Sequence, residues 1–309
     1  MGSLTGNVFV VSKATIDRGR TVRFAVQMAT VIACWAGANI VALSAIHAYE
    51  FHQACREAGV PPEIANRFQT VSLSLSRRDF PGRSSVRYKL LIPDNIQKGM
   101  KYPVVLFLHG AGERGNDGLR PLRSLPSKLA SDDYRKRVPW YLVVPQCPSE
   151  VKWNYRGDLL PRPTDELDVV WAILRDVLQK ESSDPNRVYA IGFSMGGYGV
   201  WEFGCRHPEA LAAIIPIAGA GRPEKAKLLP NLSIWAVHGR DDEIVDVAGT
   251  RDMIAAIREA GGSPLYSELE GVGHGSLAPA IEDSDELLCW LFEQSRKSQH
   301  FHSRVRDKA

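Results

Sequence analysis

The sequence is poor in cysteine, with five among 309 residues and no pair at C-x-x-C spacing. Zinc ribbons and dense disulfide frameworks need closely spaced cysteines, so both classes are excluded. The scattered cysteines leave the redox compartment open.

Charge of one sign is not in large excess either, because the net charge is only +3. The basic residues concentrate at the two ends: residues 1–23 carry +3 and residues 296–309 carry +4, which leaves the body at −4. A nucleic-acid binder needs its basic residues on the folded surface that follows the phosphates, so nucleic acid is not an expected partner. The hydrophobic content of 44% excludes a disordered chain.

Long hydrophobic runs are absent except for residues 24–49, which contain no Asp, Glu, Lys or Arg. About 20 apolar residues span a bilayer, and the basic segment 1–23 before the run favours a membrane anchor. Ala36-Gly37-Ala38 also offers a cleavage site for an export signal. We therefore expect a membrane-anchored or exported protein. A buried helix, or an extension of a cytoplasmic protein, stays open because three polar side chains interrupt the run: Gln27, Asn39 and His47.

The pattern after residue 49 predicts one folded domain. Residues 50–69 indicate a linker or short helix that ends at Gly59-Val60-Pro61-Pro62, since proline lacks the N–H that a continuing helix requires. The domain is expected over 70–295, followed by a basic tail over 296–309.

Short apolar runs within this domain predict strands of two kinds. Alternation in Val71–Ser76, followed by Val86–Ile92, predicts an antiparallel pair with one solvated face. The later runs are continuously apolar, as in strands covered on both faces, and a last strand is predicted at Leu265–Leu269. These continuous runs are Val104–Leu108, Tyr141–Val144, Val188–Ile191, Ala212–Ile217 and Ile234–Val237.

Helical periodicity appears between and after these strands. Asp165–Leu178 places its apolar residues on one stripe, and Gly249–Ala260 and Asp285–Phe292 show a similar pattern. Alternating strands and helices predict the α/β class, with a mostly parallel central sheet and helices on both faces.

The first chemical signal is Gly192-Phe193-Ser194-Met195-Gly196, which lies between a predicted strand and a predicted helix. Glycines on both sides of the serine let the backbone turn tightly, and the turn exposes the hydroxyl at the edge of the sheet. A serine hydroxyl becomes a nucleophile only when an imidazole takes its proton and a carboxylate orients that imidazole. The sequence therefore predicts a histidine and an acid downstream of Ser194.

Both partners follow in order, each after a predicted strand. Asp241, Asp242 and Glu243 are candidates for the acid, and the residues alone do not choose among them. His274 follows the last predicted strand, whereas His300 and His302 lie in the basic tail.

The loop His109-Gly110-Ala111-Gly112 follows the strand Val104–Leu108, and its N–H groups are candidates to bind an oxyanion formed at Ser194. The longer segment Gly110–Gly115 also matches the G-x-G-x-x-G fingerprint of dinucleotide-binding proteins. The helix that the fingerprint requires is replaced by a run with Pro121 and Pro126, which disfavours dinucleotide binding.

With these motifs in order, the sequence resembles the α/β-hydrolase superfamily over about residues 85–295. The branch it resembles contains esterases related to dienelactone hydrolases, polyhydroxybutyrate depolymerases and feruloyl esterases, together with predicted peptidases and phospholipase/carboxylesterases. The segments that carry the resemblance are Tyr102–Gly115, Val144–Pro148 with Trp153, Gly192–Gly197, His238-Gly239 with Asp242, and Gly273-His274.

The resemblance implies a role for each matched residue. Ser194 is expected as nucleophile, His274 as general base and then acid, and Asp242 as the residue that orients the imidazole. The backbone N–H groups of Ala111 and Met195 are expected to bind the oxyanion, with Gly110 and Gly112 as alternatives. For Trp153 and Tyr155 a substrate pocket and simple packing are both open.

We therefore expect a serine esterase that forms an acyl-enzyme, needs no metal or organic cofactor, and acts on small-molecule or carbohydrate-linked esters. A peptidase or amidase with the same triad is the alternative within enzymes. A non-catalytic binding protein is the alternative outside them, because hydrolase folds also occur in proteins without activity.

Overall fold

The computed structural model describes residues 44, 46–153, 165–180, 182–282 and 285–296. The strands are β1 (Gln69–Ser74), β2 (Ser85–Leu91), β3 (Tyr102–Leu108), β4 (Tyr141–Pro145), β5 (Ser183–Phe193), β6 (Ala213–Ile217), β7 (Ser233–Gly239) and β8 (Leu265–Leu269). The helices used below are α1 (Pro62–Ala65), α2 (Leu125–Leu129), α3 (Asp132–Arg135), α4 (Glu166–Leu178), α5 (Met195–Arg206), α6 (Ala248–Glu259), α7 (His274–Glu282) and α8 (Asp285–Glu293).

The eight strands form one sheet in the order β1-β2-β4-β3-β5-β6-β7-β8. β2 pairs antiparallel with both β1 and β4, and all later neighbours are parallel. The predicted class is confirmed, as is the predicted antiparallel opening pair. The strand order reverses between β3 and β5, and crevices for ligands form at the carboxyl ends of strands where this happens.

Helices cover both faces of the sheet. On one face α4, α5 and α6 pack through Ile173, Phe203 and Ile254 in a core that includes Leu106 of β3. Successive side chains of a strand point to opposite faces, so the neighbouring residues face the other side. There Leu125 of α2, Ile281 of α7 and Leu287 and Leu288 of α8 lie against Ile191 and Ile215. The loops after β3 and β5 therefore follow strands that are packed against helices on both faces of the sheet.

Several strand boundaries differ from the prediction, and for two of them the structure gives the reason. β1 ends at Ser74 and not Ser76, because the Phe80 N–H donates to the Ser76 carbonyl in the turn that follows. β5 begins at Ser183 and not Val188, because Ser183 pairs with Tyr102 of β3 before a break in register.

The chain divides into two compact units, Met1–Gln53 and Ala54–Ala309. The described residues 46–53 of the first unit are helical, and the second unit opens with helical residues 54–58 before α1. Across the described ranges, no helix combines the length and apolar character that a bilayer crossing requires. The predicted segments 1–23 and 297–309, and all of 24–43, lie outside the described residues.

Candidate active site

Ser194 occupies a strained turn between β5 and α5. Its backbone angles, φ of 55° and ψ of −118°, lie in a region that residues other than glycine rarely adopt. This conformation costs on the order of 1–3 kcal/mol of folding free energy. The Ser194 N–H donates to the Ile217 carbonyl at 2.9 Å, which fastens the turn to the end of β6. The hydroxyl is thereby presented at the carboxyl edge of the sheet.

The two glycines of the G-x-S-x-G motif are required by close backbone contacts. A Cβ on Gly196 would lie 1.8 Å from the Leu108 carbonyl oxygen, and one on Gly192 would lie 2.3 Å from the Gly196 oxygen. A side chain at Gly196 would therefore push the serine turn away from β3, and one at Gly192 would push the first turn of α5 away from β5.

His274 is the first residue of α7 and bridges the serine and an acid. Its Nε2 lies 2.9 Å from Ser194 Oγ, and its Nδ1 lies 2.7 Å from Asp242 Oδ2. A carboxylate only accepts, so the proton resides on Nδ1 and leaves Nε2 free to accept from the serine hydroxyl. This arrangement can remove a proton from Ser194.

Asp242 is the acid that meets His274, while Asp241 and Glu243 on either side are exposed. Burial opposes ionisation of Asp242, but the N–H groups of Val245 and Ile244 and the imidazole of His274 outweigh it and lower its pKa. The two N–H groups donate to Oδ1, which leaves Oδ2 for the imidazole. Asp242 is thus held as a carboxylate.

His238 also contacts the Asp242 carboxylate, at the same oxygen as His274. Its Nε2 lies 3.3 Å from Asp242 Oδ2 and 3.0 Å from the Val245 carbonyl, and its Nδ1 lies 2.7 Å from Thr250 Oγ1. Burial lowers the pKa of His238, so the ring is neutral near pH 7. The signal available beforehand was its position at the end of a buried strand, four residues before the acid.

The candidate oxyanion donors each begin a helical turn. Met195 is the first residue of α5, and Ala111 is the first residue of a 3-10 turn, Ala111–Glu113. The first N–H groups of a helix have no acceptor within it, so both are available to a ligand. Arg114 steadies the loop by donating to the carbonyls of Ala111 and Ser149 at 3.0 and 2.9 Å.

No family model matches the sequence, but known proteins do. A thermostable esterase of known crystal structure is 34% identical with a TM-score of 0.67, over 75% of this chain and 64% of that one. Feruloyl esterase D of Neurospora crassa is 24% identical over 259 residues, which are 79% of this chain and 80% of the relative. NocK of Nocardia uniformis subsp. tsuyamanensis, assigned as an esterase, is 29% identical over 89 residues, 28% of this chain and 26% of NocK.

The chain is an α/β-hydrolase by fold. The resemblance inferred from its motifs is confirmed, because these relatives are esterases and the sheet is the one that the motifs predict. The chain spans under two thirds of the thermostable esterase and about a quarter of NocK.

In this chain the loop after β3 is held by His109, which is 1% exposed. Its Nε2 accepts from the Cys147 N–H at 3.0 Å, so the proton is on Nδ1, 2.6 Å from the Gly110 carbonyl. Burial outweighs that hydrogen bond and lowers the pKa of His109 to about 4. A neutral imidazole therefore ties the loop after β3 to Cys147, which follows the end of β4.

Trp153 is packed inside the protein beside the loop after β3, and its role in a substrate pocket stays a prediction. The indole is 1% exposed, its N–H donates to the His109 carbonyl at 2.9 Å, and its Cβ lies against Gly199 of α5. Tyr155, predicted with it, lies outside the described residues. In the described ranges no group of three or more His, Cys, Asp and Glu side chains is arranged to hold a metal ion.

Proposed function

We propose that this chain is a serine esterase that works through an acyl-enzyme. The proposal rests on the hydrogen-bonded series Ser194–His274–Asp242 beside two helix-initial N–H groups. In such a series the serine attacks the ester carbonyl as His274 Nε2 takes the hydroxyl proton. The imidazolium forms next to a carboxylate, so its charge is stabilised.

The tetrahedral intermediate carries its negative charge on the former carbonyl oxygen. The N–H groups of Ala111 and Met195 are the donors proposed for this oxygen. His274 then returns its proton to the leaving alcohol, and the Ser194 acyl ester is left behind. Water activated by the same imidazole releases the acid and restores the serine.

The substrates we propose are esters of small molecules or of carbohydrates. The support is the similarity to feruloyl esterase D over four fifths of both chains. An export or membrane-anchoring role for residues 24–49 is also proposed, on the composition of that segment alone.

Covalent labelling with a fluorophosphonate tests the nucleophile directly. We expect the full chain to be labelled at Ser194, with loss of labelling in Ser194→Ala, and to hydrolyse p-nitrophenyl acetate. Labelling at another residue, or equal labelling of Ser194→Ala, would overturn the assignment. A correctly folded chain that is neither labelled nor active would be a binding protein.

A further inference from the structure

A small apolar cavity lies beside the candidate active site, on the face of the sheet that α2, α7 and α8 cover. Its volume is about 80 Å3, and it reaches Gly110 and Phe193, the residues that precede Ala111 and Ser194. The Phe193 ring also packs on His274, with ring centroids 5.1 Å apart. The cavity is therefore lined by the chain neighbours of Ala111 and Ser194.

The wall of the cavity is almost entirely hydrocarbon. Charged side chains line it at two places only among its described residues, Glu113 and Arg123, and these carry opposite signs. Because these two charges leave the wall without net charge, a carboxylate or ammonium of a ligand would lose its hydration here with little net electrostatic attraction. Two uncharged polar residues, His109 and Ser124, also line it, and the rest of the wall is formed by Phe107, Pro121, Leu125, Ile217, Ala278 and Ile281.

The far end of the cavity is closed by three side chains. Leu125, Ile217 and Ile281 line it and also line a second, smaller space of about 10 Å3 that continues toward α8. These three residues thus form a partition between the cavity and that space. Behind the partition lie Leu287 and Leu288, so the path is apolar throughout.

Backbone strain marks the same region. Four described residues other than glycine have positive φ, and three of them lie here: Ser194, Ala218 directly after the partition residue Ile217, and Ser124 directly before Leu125. Strained residues persist where the surrounding structure holds them and cluster at functional sites. Ser124 (φ 55°, ψ −125°) sets the direction in which α2 begins and hence the position of Leu125.

We propose that this cavity holds the acyl group of the ester and that its partition limits the group to a short, uncharged chain. The inference rests on the proposed esterase function. A carbohydrate alcohol is polar and must continue into solvent, so a small blind apolar space suits the acyl side of the ester. An apolar cavity of about 150 Å3 holds benzene, so one of about half that volume accommodates roughly three carbon atoms.

The test is kcat/KM for p-nitrophenyl esters from acetate to octanoate, with wild type and three variants. We expect wild type to have its highest kcat/KM with butyrate, whose alkyl chain has three carbon atoms, and we expect kcat/KM to fall about tenfold or more by octanoate, as in pockets that reject added methylenes. Ile281→Ala opens the partition and should move the optimum to longer chains. Ala278→Leu fills the cavity, so its kcat/KM should stay close to wild type for the acetate ester and fall for the butyrate ester.

Ile257→Ala is the matched control, because Ile257 is also buried but lies on α6, on the opposite face of the sheet. It should keep the wild-type chain-length profile. If Ile281→Ala does not fold, Ala278→Leu alone still tests the cavity, because it must shorten the preferred chain.

A second series, with constant acetyl and alcohols of increasing length, separates the two sides of the ester. Profiles that change only in this series would assign the cavity to the alcohol and overturn the proposal. Identical acyl profiles for wild type, Ile281→Ala and Ala278→Leu would also overturn it while leaving the esterase intact. Absence of all ester turnover and of fluorophosphonate labelling would overturn both.

Discussion

At the scale of single residues, Ser194, His274 and Asp242 have separable contributions to the proposed reaction. Ser194→Ala removes the attacking oxygen and His274→Ala removes the base, so we expect each to lower kcat by on the order of 10⁶. Asp242→Asn leaves the imidazole in place but disturbs its tautomer, so we expect a smaller loss of about 10⁴. Ester turnover and thermal unfolding of each variant check this.

Asp241→Asn is the matched control, since Asp241 is exposed and lies next to Asp242. Its turnover should stay close to that of wild type. If Asp241→Asn loses more activity than Asp242→Asn, the acid has been assigned to the wrong carboxylate.

His109 predicts a pH dependence of stability. Its pKa is about 4 in the folded chain, against the ordinary histidine value of 6.5, so the unfolded chain binds more protons between these two pH values. The neutral His109 therefore stabilises the folded protein fully above about pH 6.5, and this stabilisation is lost as the pH falls toward 4. The free energy of unfolding should fall by about 3 kcal/mol over this range through His109.

His109→Gln lacks this titration. The free energy of unfolding should therefore fall less steeply with acid in the variant than in wild type, measured by denaturant titration from pH 7.5 to 4.5. Parallel curves would contradict the link to His109.

The residues of the site were predictable to different degrees. Ser194 and His274 follow from a local motif and from chain order, whereas Asp242 needed a family resemblance to separate it from its neighbours. His109 and His238 act through contacts with Cys147 and Asp242 that folding creates. No local pattern marks this role of His109, and the signal for His238 was its position four residues before the acid.

At the scale of elements, α5 is fastened to the loop after β6 by one buried carboxylate. Glu202 accepts from Arg206, Arg222 and Lys225. Burial would raise the pKa of Glu202, but the three cations outweigh it and lower the pKa to about 2. The carboxylate thus holds in place the helix whose first turn follows Ser194.

Glu202→Gln should destabilise the protein by about 3 kcal/mol, because it leaves three cations around a neutral amide. Denaturant unfolding at pH 7 measures the loss. The stabilisation is present above pH 4.5 and disappears as the pH falls toward 2, so the difference between variant and wild type should shrink in acid. Glu224→Gln, exposed on the neighbouring 3-10 segment, is the control and should change little. Equal loss in both variants would argue against the network.

Elements with strong patterns were predicted well, and short ones were not. β8 has the predicted bounds, and α4 begins one residue after the predicted start because Asp165 caps it. α2 and α3 were not predicted, since helices of five and four residues lack a measurable period and prolines suggested a loop. Because α2 was not predicted, the part of the cavity wall that Leu125 forms could not be predicted either.

At the scale of the whole molecule, the described site is formed by loops that follow strands of the unit Ala54–Ala309. An alkoxide leaves readily, whereas an amine must be protonated while the intermediate is held, which needs more extensive substrate contacts. We therefore expect kcat/KM for an ester to exceed that for the anilide of the same acyl group by several orders of magnitude. Comparable values would favour a peptidase.

The N-terminal segment can be tested separately from catalysis. The described residues of the site lie at or beyond His109, so a chain that begins at residue 50 should be soluble and as active as the full chain. The full chain should sediment with membranes or be recovered after N-terminal processing. Full-length protein found unprocessed in the cytosol would contradict export.

Helix α7 carries two groups of the proposed site. It begins with His274 and, one and two turns later, presents Ala278 and Ile281 to the cavity. Substitutions on α7 that admit longer acyl groups would therefore also disturb the position of His274. Each such change would need a compensating substitution elsewhere in the protein. α2 reaches the same partition through Leu125 and carries none of the proposed reacting atoms. Divergence in substrate preference should accumulate first on α2, where a change of side chain leaves the base in place.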